Sequence, residues 1–106
     1  MKQAKVLLAI AALAGAVGVP AAAPVTVTQK GLQFSAADLE VNKGQTVVFM
    51  NDDRTPHNIT VSGGGVNLNS GLQPPGVEFK VPFSKPGTYA VSCGIHPKMK
   101  MTVTVK

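Results

Sequence analysis

Apolar and polar residues alternate along most of the chain after residue 23, which is the period of a half-buried β-strand. Stretches with this pattern, or with a short apolar run, predict strands at residues 24–30, 32–35, 39–41, 45–51, 57–62, 77–83, 88–93 and 99–106. Turn sequences such as Asn42-Lys43-Gly44 and Lys85-Pro86-Gly87 separate them. No stretch of this region has helical periodicity. The pattern therefore predicts an all-β fold, a two-sheet Greek-key β-sandwich.

Two stretches depart from simple alternation. Four consecutive apolar residues, Val47 to Met50, indicate a central strand that is buried on both sides. Residues 63–76 are rich in glycine and proline, from Gly63-Gly64-Gly65 to Pro74-Pro75-Gly76. We expect this second stretch to be an irregular excursion on the surface.

The first 21 residues have the pattern of a secretory signal peptide. Lys2 and Lys5 form a basic start, an apolar run from Val6 to Val19 follows, and small residues come next. The run is short and lacks charges on its far side, which argues against a lasting membrane span. We place cleavage after Ala21, so that a helical signal peptide at residues 1–21 precedes a single domain at residues 22–106. This predicts a protein that is periplasmic or otherwise exported, without a membrane span after processing.

Charge and cysteine content narrow the class of protein. The 106-residue chain has ten basic and five acidic residues, a net charge of +5, and loss of Lys2 and Lys5 lowers it to +3. No basic run accompanies this mild excess, so we expect no binding to nucleic acid. The single cysteine, Cys93, is more informative, because exported proteins usually pair their cysteines in disulfides. Cys93 is therefore either a buried bystander or a metal ligand.

The stretch from Cys93 to Met99 contains three kinds of metal-ligand side chain within seven residues: a thiol, the imidazole of His96 and a thioether. A thiolate, imidazoles and a weak axial thioether are the ligands of single-copper electron-transfer sites. One more imidazole is needed, and the only other histidine in the chain is His57. We therefore predict that one copper ion, cycling between Cu(I) and Cu(II), is bound by His57, Cys93, His96 and Met99.

Strand parity supports this set. Three of the four side chains have the inward parity of the apolar residues in their own strands: His57, Cys93 and Met99. His96 is expected on the loop between two strands, from which it reaches the same point at the rim. The site should then lie at one end of the sandwich, near the surface.

These residues also carry a family resemblance. A histidine at the start of a middle strand, followed after about thirty-five residues by Cys-x-x-His-x-x-Met, resembles the cupredoxin family of small type-1 blue-copper proteins. Within that family the chain is closest to the amicyanin and plastocyanin-like branches, and amicyanins share the short loop with proline after its histidine. The resemblance runs from about residue 30 to the end and includes Pro56-His57-Asn58 and Gly87-Thr88-Tyr89. Gly94-Ile95 and Lys98 depart from the amicyanin loop, which has a threonine-proline pair and an aromatic residue there.

The resemblance implies a cupredoxin domain at residues 22–106 and two supporting roles around the metal. The main-chain N–H of Asn58 is expected to point at the sulfur of Cys93. The side chain of Asn51 is expected to tie its own loop to the cysteine loop.

The resemblance also implies how the protein meets its partners. Electrons would pass through His96, and an apolar docking surface around it would consist of Pro56, Ile95 and Pro97, with Lys98 at the rim. The partners would be redox proteins, such as a c-type cytochrome, a dehydrogenase or an oxidase, that dock transiently at the His96 edge. We expect the protein itself to be a monomer.

Other notable residues have simpler interpretations. Met50 and Met101 have the strand parity of core residues. Tyr89 is interpreted as a core or corner tyrosine. Asp52 and Asp53 are adjacent carboxylates in a polar turn, and we assign them no chemical role.

An enzyme is disfavoured by the side chains available. Copper oxidases and nitrite reductases need further histidine-rich centres, and a dinuclear copper centre needs a second cysteine. A Cys–His nucleophile would leave His57 and Met99 without a role. The predicted function is that of a small exported mononuclear type-1 copper protein that carries single electrons between redox partners. The alternative, which uses one copper on the same fold, is a periplasmic copper-binding or copper-resistance protein.

Overall fold

Eight β-strands and no helix make up residues 22–106, the part of the chain that the computed structural model describes. The strands are β1 Val25–Gln29, β2 Asp38–Val41, β3 Gln45–Asn51, β4 Ile59–Gly63, β5 Val66–Asn69, β6 Glu78–Phe83, β7 Gly87–Cys93 and β8 His96–Val105. The predicted signal peptide, with its helix and its cleavage after Ala21, lies outside the described residues. Within residues 22–106, no helix has the length and hydrophobicity needed to cross a bilayer.

The strands form two sheets, so the predicted β-sandwich is confirmed. One sheet has the order β1-β3-β6, and the other has the order β2-β8-β7-β4-β5. The first strand of each sheet runs parallel to its neighbour, β1 to β3 and β2 to β8, and the other pairs are antiparallel. The core lies between the sheets and includes Val27, Val47, Phe49, Ile59, Val61, Tyr89, Val91 and Val103.

The alternation in β8 shows how the pattern places the site. Met99, Met101, Val103 and Val105 are buried on one face of this strand, whereas Lys100 is exposed on the other. Inward residues of a strand with period two reach the core, so the first of them, Met99, lies at the end of the strand that carries His96. Tyr89 is a corner tyrosine as well as a core residue, because its buried ring donates a hydrogen bond from the hydroxyl to the carbonyl of Lys85 at 2.6 Å.

The sequence predicts that residues 63–76 are irregular, but part of this segment is a β-strand. Val66–Asn69 forms β5, which pairs with β4 as a hairpin. Gly64 and Gly65 turn the chain with φ angles of 51° and 79°, a conformation that glycine adopts without steric cost. Its sequence, Val66-Asn67-Leu68-Asn69, alternates apolar and polar residues over only four positions, and three of the four are exposed. Pairing with β4 holds the strand in place.

The predicted strand at residues 32–35 is a turn instead. The main chains of Lys30 and Gln33 bond each other in both directions, and only Phe34 forms a bridge, to Gln29. Leu32 has a φ of 57°, a backbone angle that residues other than glycine rarely adopt. The turn is held by a carboxylate far away in sequence, which is described below.

The last strand begins earlier than predicted, at His96 instead of Met99. Cys93 and His96 are paired across β7 and β8, so the connection is the two-residue turn Gly94–Ile95. His96 therefore belongs to a strand and not to a free loop, and the strand pairing fixes its position relative to Cys93.

Candidate metal centre

Three of the predicted ligand side chains meet at one end of the sandwich. The Sγ atom of Cys93 lies 3.6 Å from Nδ1 of His57 and 3.6 Å from Nδ1 of His96. The two Nδ1 atoms are 3.2 Å apart. Cys93 and His57 are buried, and His96 is half-buried. Residues from β7, β8 and the segment before β4 thus present three ligand atoms to a common point.

The size of this triangle fits a metal ion. A point equidistant from the three atoms lies about 2 Å from each, the usual length of a bond from a first-row metal ion to imidazole nitrogen. One thiol and two imidazole nitrogens are a donor set that suits copper. The arrangement could therefore hold a single metal ion between these three ligand atoms.

Met99 lies in the same region of the structure. Its side chain is buried, and it lines a surface depression together with His96. It follows His96 by three residues in β8, so that the thioether belongs to the same end of the sandwich. Met101, the next inward residue of β8, packs in the hydrophobic core, as the sequence indicated.

The thiol of Cys93 is held by the residue after His57. The main-chain N–H of Asn58 donates to Cys93 Sγ at 3.3 Å, as the resemblance implied. The carbonyl of Asn58 accepts from the N–H of Gly94 at 2.9 Å. The Asn58 side chain donates to Asn69 and to the carbonyl of Gly71, so it also anchors the hairpin of β4 and β5.

Asn51 does not make the contact that the resemblance implied. Its Nδ2 donates to the carbonyls of Thr55 and Gln73, and its Oδ1 accepts from the N–H of Asp53. Asn51 ends β3 at a point where those carbonyls converge, so within the described residues its hydrogen bonds go to its own loop and to Gln73. None goes to the cysteine loop.

Main-chain and side-chain contacts both fix His57. Its main-chain N–H donates to the carbonyl of Gln73 at 2.9 Å, and its carbonyl accepts from the N–H of Gln73 at 2.7 Å. The two hydrogen bonds form an isolated β-bridge before β4. The Gln73 side chain is buried and donates to the carbonyls of Phe49 and Val77. The His57 ring nitrogen that faces away from the cysteine, Nε2, lies 2.7 Å from Oδ2 of Asp53.

Asp53 is a site residue that the sequence interpretation missed. Besides His57 it accepts hydrogen bonds from the N–H groups of Gly31 and Leu32. Burial raises the pKa of this carboxyl, but the hydrogen bonds from His57, Gly31 and Leu32 outweigh it and hold the pKa below its usual value. The only sequence signal was a carboxylate four residues before a candidate ligand. The neighbouring Asp52 is exposed and lies near Lys30, as expected of a polar turn.

The surface beside His96 is partly apolar. Ile95 is 52% exposed, Pro97 and Lys98 are exposed, and the three line the same depression as His96. Pro56 is half-buried and is not part of that depression's lining. Leu32, which is 49% exposed, does line it and was not predicted, because its position depends on the turn at residues 30–33.

Comparison with known proteins gives consistent matches. A family model for copper-binding proteins of the plastocyanin/azurin family matches residues 21–106. Chloroplast plastocyanin of Fritillaria agrestis is 33% identical over 102 residues, covering 82% of this chain and 61% of that protein. Amicyanin-alpha of Methylorubrum extorquens is 31% identical over 78 residues, covering 71% of this chain and 66% of that protein. The solved structure of a reduced amicyanin variant matches with a TM-score of 0.73 and 26% identity, covering 82% of this chain and 86% of that chain. The chain thus spans 61% and 66% of the length of the two curated relatives.

Proposed function

Because the chain belongs to the plastocyanin/azurin family of copper-binding proteins, the cupredoxins, we propose that it is a small exported electron carrier with one type-1 copper ion. The observation that carries the proposal is the triangle formed by Cys93 Sγ and the Nδ1 atoms of His57 and His96. A thiolate and two imidazoles in one plane are the donor set of copper sites that transfer electrons.

In this proposal His57, Cys93 and His96 would be the close ligands of the copper ion, and Met99 would be a weaker thioether ligand. Copper bound there supplies a one-electron couple between Cu(I) and Cu(II). The chain's own contribution is to keep the ligand atoms in place. Cys93 and His96 are paired across β7 and β8, and His57 is bridged to Gln73, so none of the three close ligands is on a free loop. A frame of this kind changes little when the charge of the site changes, which keeps reorganisation small.

The exposed edge of His96 is the proposed route for electrons. The half-buried ring lies beside Ile95 and Pro97, and Lys98 adds a positive charge next to them. We assign transient docking of redox proteins, a c-type cytochrome, a dehydrogenase or an oxidase, to this edge, and we include Pro56 and Leu32 in the docking surface. An apolar centre with charge at its rim suits a complex that forms and dissociates quickly.

The remaining parts of the proposal follow from the sequence. Residues 1–21 are a signal peptide, residues 22–106 are the cupredoxin domain, and the protein works as a monomer in the periplasm or a similar compartment. In this proposal it is not an enzyme, because a single metal site uses both histidines and the only cysteine, which leaves neither residue type for a second copper centre or for a Cys–His nucleophile.

Two rates measured on one copper-loaded preparation test the carrier against a copper-handling protein. Electron exchange between the oxidised and reduced forms should be fast, and transfer of copper to a competing chelator should be slow. Slow electron exchange with release of copper within minutes would reject the carrier and favour the alternative.

A further inference from the structure

Asp53 joins the surface of the protein to the proposed ligand His57. Its side chain is only 12% exposed, whereas that of the neighbouring Asp52 is 60% exposed. Oδ2 of Asp53 lies 2.7 Å from Nε2 of His57, and Nδ1 of the same ring faces Cys93. The carboxylate and the thiol therefore lie on opposite sides of one buried imidazole.

The chemistry of the two groups decides which ring nitrogen carries the proton. An ionised carboxylate only accepts hydrogen bonds, so the Nε2 atom that faces Asp53 has to be the donor. Nδ1 of His57 is then left with a free lone pair directed at the ligand triangle. A histidine that binds a metal through one nitrogen commonly donates from the other to a carboxylate, carbonyl or water, and a carboxylate partner makes the ring more basic.

Resting on the copper site of the proposed function, we propose that Asp53 is a positioning residue that keeps His57 in the metal-binding tautomer and lowers the reduction potential. A negative charge hydrogen-bonded to a ligand stabilises Cu(II), the more highly charged state, more than Cu(I). Asp53 therefore favours the oxidised protein. This role depends on copper binding through His57 and not on whether the copper protein carries electrons.

The same carboxylate also holds the turn that contains Leu32. Its two oxygens accept from the N–H groups of Gly31 and Leu32, and Leu32 has a positive φ. A variant of Asp53 therefore changes three things: a charge, a hydrogen bond to His57 and the turn. Two control variants separate them.

The test compares Asp53→Asn with Asp52→Asn and Gly31→Ala. Asp52→Asn removes one negative charge from the adjacent, exposed position without touching His57. Gly31→Ala places a side chain at a φ of 64° and so strains the turn while leaving the carboxylate in place. Only Asp53→Asn weakens the hydrogen bond at the ring.

Copper affinities and the reduction potential are measured on all four proteins. Loss of the partner of a metal-binding histidine typically lowers metal affinity about 10- to 100-fold. We expect the Cu(II) affinity of Asp53→Asn to fall by this factor and the Cu(I) affinity to fall less. Each tenfold increase in the ratio of the Cu(I) affinity to the Cu(II) affinity raises the reduction potential by about 59 mV. Both controls should stay close to the wild type. An equal rise in Asp52→Asn would assign the effect to general charge, an equal rise in Gly31→Ala would assign it to the turn, and either would overturn the proposal.

A second measurement needs no variant. In the reduced, diamagnetic copper protein, NMR of the ring should show His57 protonated at Nε2, with a downfield and slowly exchanging proton. A His57 ring that is protonated at Nδ1, or whose Nε2 proton exchanges freely, would contradict the assignment. If the ring gives the expected signal but electron exchange is slow, the role of Asp53 stands and only the carrier function fails.

Discussion

The main-chain N–H of Asn58 points at the sulfur of Cys93, 3.3 Å away, although 35 residues separate them in sequence. The residues beside this pair fix the contact: Ile59 pairs with Cys93 in the sheet, and Gly94 bonds back to the Asn58 carbonyl. Hydrogen bonds to a ligating sulfur are among the contacts that tune a copper site. The sheet pairing of β4 and β7 thus supplies part of the metal environment as well as part of the fold.

The first prediction concerns the thiolate. Cys93→Ser keeps the shape of the side chain but replaces sulfur with a hydroxyl oxygen, which binds copper weakly. The intense charge-transfer band that we expect in the red part of the visible spectrum of the Cu(II) protein should disappear. Absorption spectra of wild type and variant at matched copper content check this, and a variant that retained the band would remove the thiolate assignment.

The second prediction concerns the axial position. Met99→Leu should keep copper bound and raise the reduction potential, because it removes a weak donor that favours Cu(II). Met101→Leu is the matched control, since Met101 is two residues further along the same face of β8 and packs in the core. Cyclic voltammetry of both variants is the measurement. Equal potentials in wild type and Met99→Leu would show that Met99 is not axial.

The third prediction concerns the loop departure at Gly94. A Cβ at this position would collide with Oδ1 of Asn58, so Gly94→Ala has to displace the Asn58 side chain and strain its hydrogen bonds to the hairpin. We expect the free energy of unfolding to fall by about 1–3 kcal/mol, the usual cost of overpacking. Denaturant unfolding of the reduced copper protein measures it.

A double-mutant cycle provides the control for Gly94. Asn58→Ala removes the atom that the new Cβ meets but keeps the main-chain N–H that faces Cys93. The free energy of unfolding of the double variant should therefore fall by less than the sum of the decreases in the two single variants. Strictly additive losses would mean that the Asn58 side chain is not the obstacle.

The residues that could be predicted from sequence are those whose chemistry is rare. A lone cysteine, two histidines and a methionine at this spacing have few other uses, and alternation placed Cys93 and Met99 inward without knowledge of the fold. The two-sheet architecture followed from the same alternation. By contrast, the side chain of Asn51 turned to Thr55 and Gln73, which no local pattern could indicate.

What the sequence could not indicate depends on partners that are distant along the chain. Asp53 looks like any carboxylate in a polar turn, and its role arises only because folding brings His57 and residues 31–32 to its oxygens. The alternation in Val66–Asn69 spans only four residues after a run of three glycines, and none of the four is fully buried, so the sequence did not indicate a strand there. The position of Leu32 beside His96 follows from the Asp53 turn and was therefore missed with it.

The fourth prediction uses the lowered pKa of Asp53. A carboxyl whose pKa is lower in the folded than in the unfolded state stabilises the fold at pH values above its unfolded pKa, for which the ordinary aspartate value is 3.8. That contribution is lost as the pH falls through the lower, folded pKa. The free energy of unfolding of the metal-free protein should therefore decrease more steeply below about pH 4 in wild type than in Asp53→Asn. Urea unfolding at several pH values measures this free energy. The same dependence on pH in wild type and in Asp53→Asn would count against the lowered pKa.

The last prediction concerns docking. Lys98 is exposed beside His96, so its charge lies at the edge where a redox partner with an acidic face would bind. Electrostatic steering raises association rates by about tenfold or more, and we expect Lys98→Glu to slow reaction with such a partner by up to about tenfold at low salt. The spectrum and copper affinity should not change, because Lys98 is exposed and is not one of the proposed ligands.

Lys85→Glu is the control for this prediction, because it makes the same change of charge in the turn before β7, at the end of the sandwich opposite Cys93. Stopped-flow rates with an acidic-faced cytochrome, measured from low salt to physiological ionic strength, separate the two variants. The difference between wild type and Lys98→Glu should shrink as salt is added, since exposed charges are screened beyond about 8–10 Å under physiological conditions. If Lys85→Glu slows the reaction as much as Lys98→Glu, the effect reflects net charge alone, and the partner does not dock at the His96 edge.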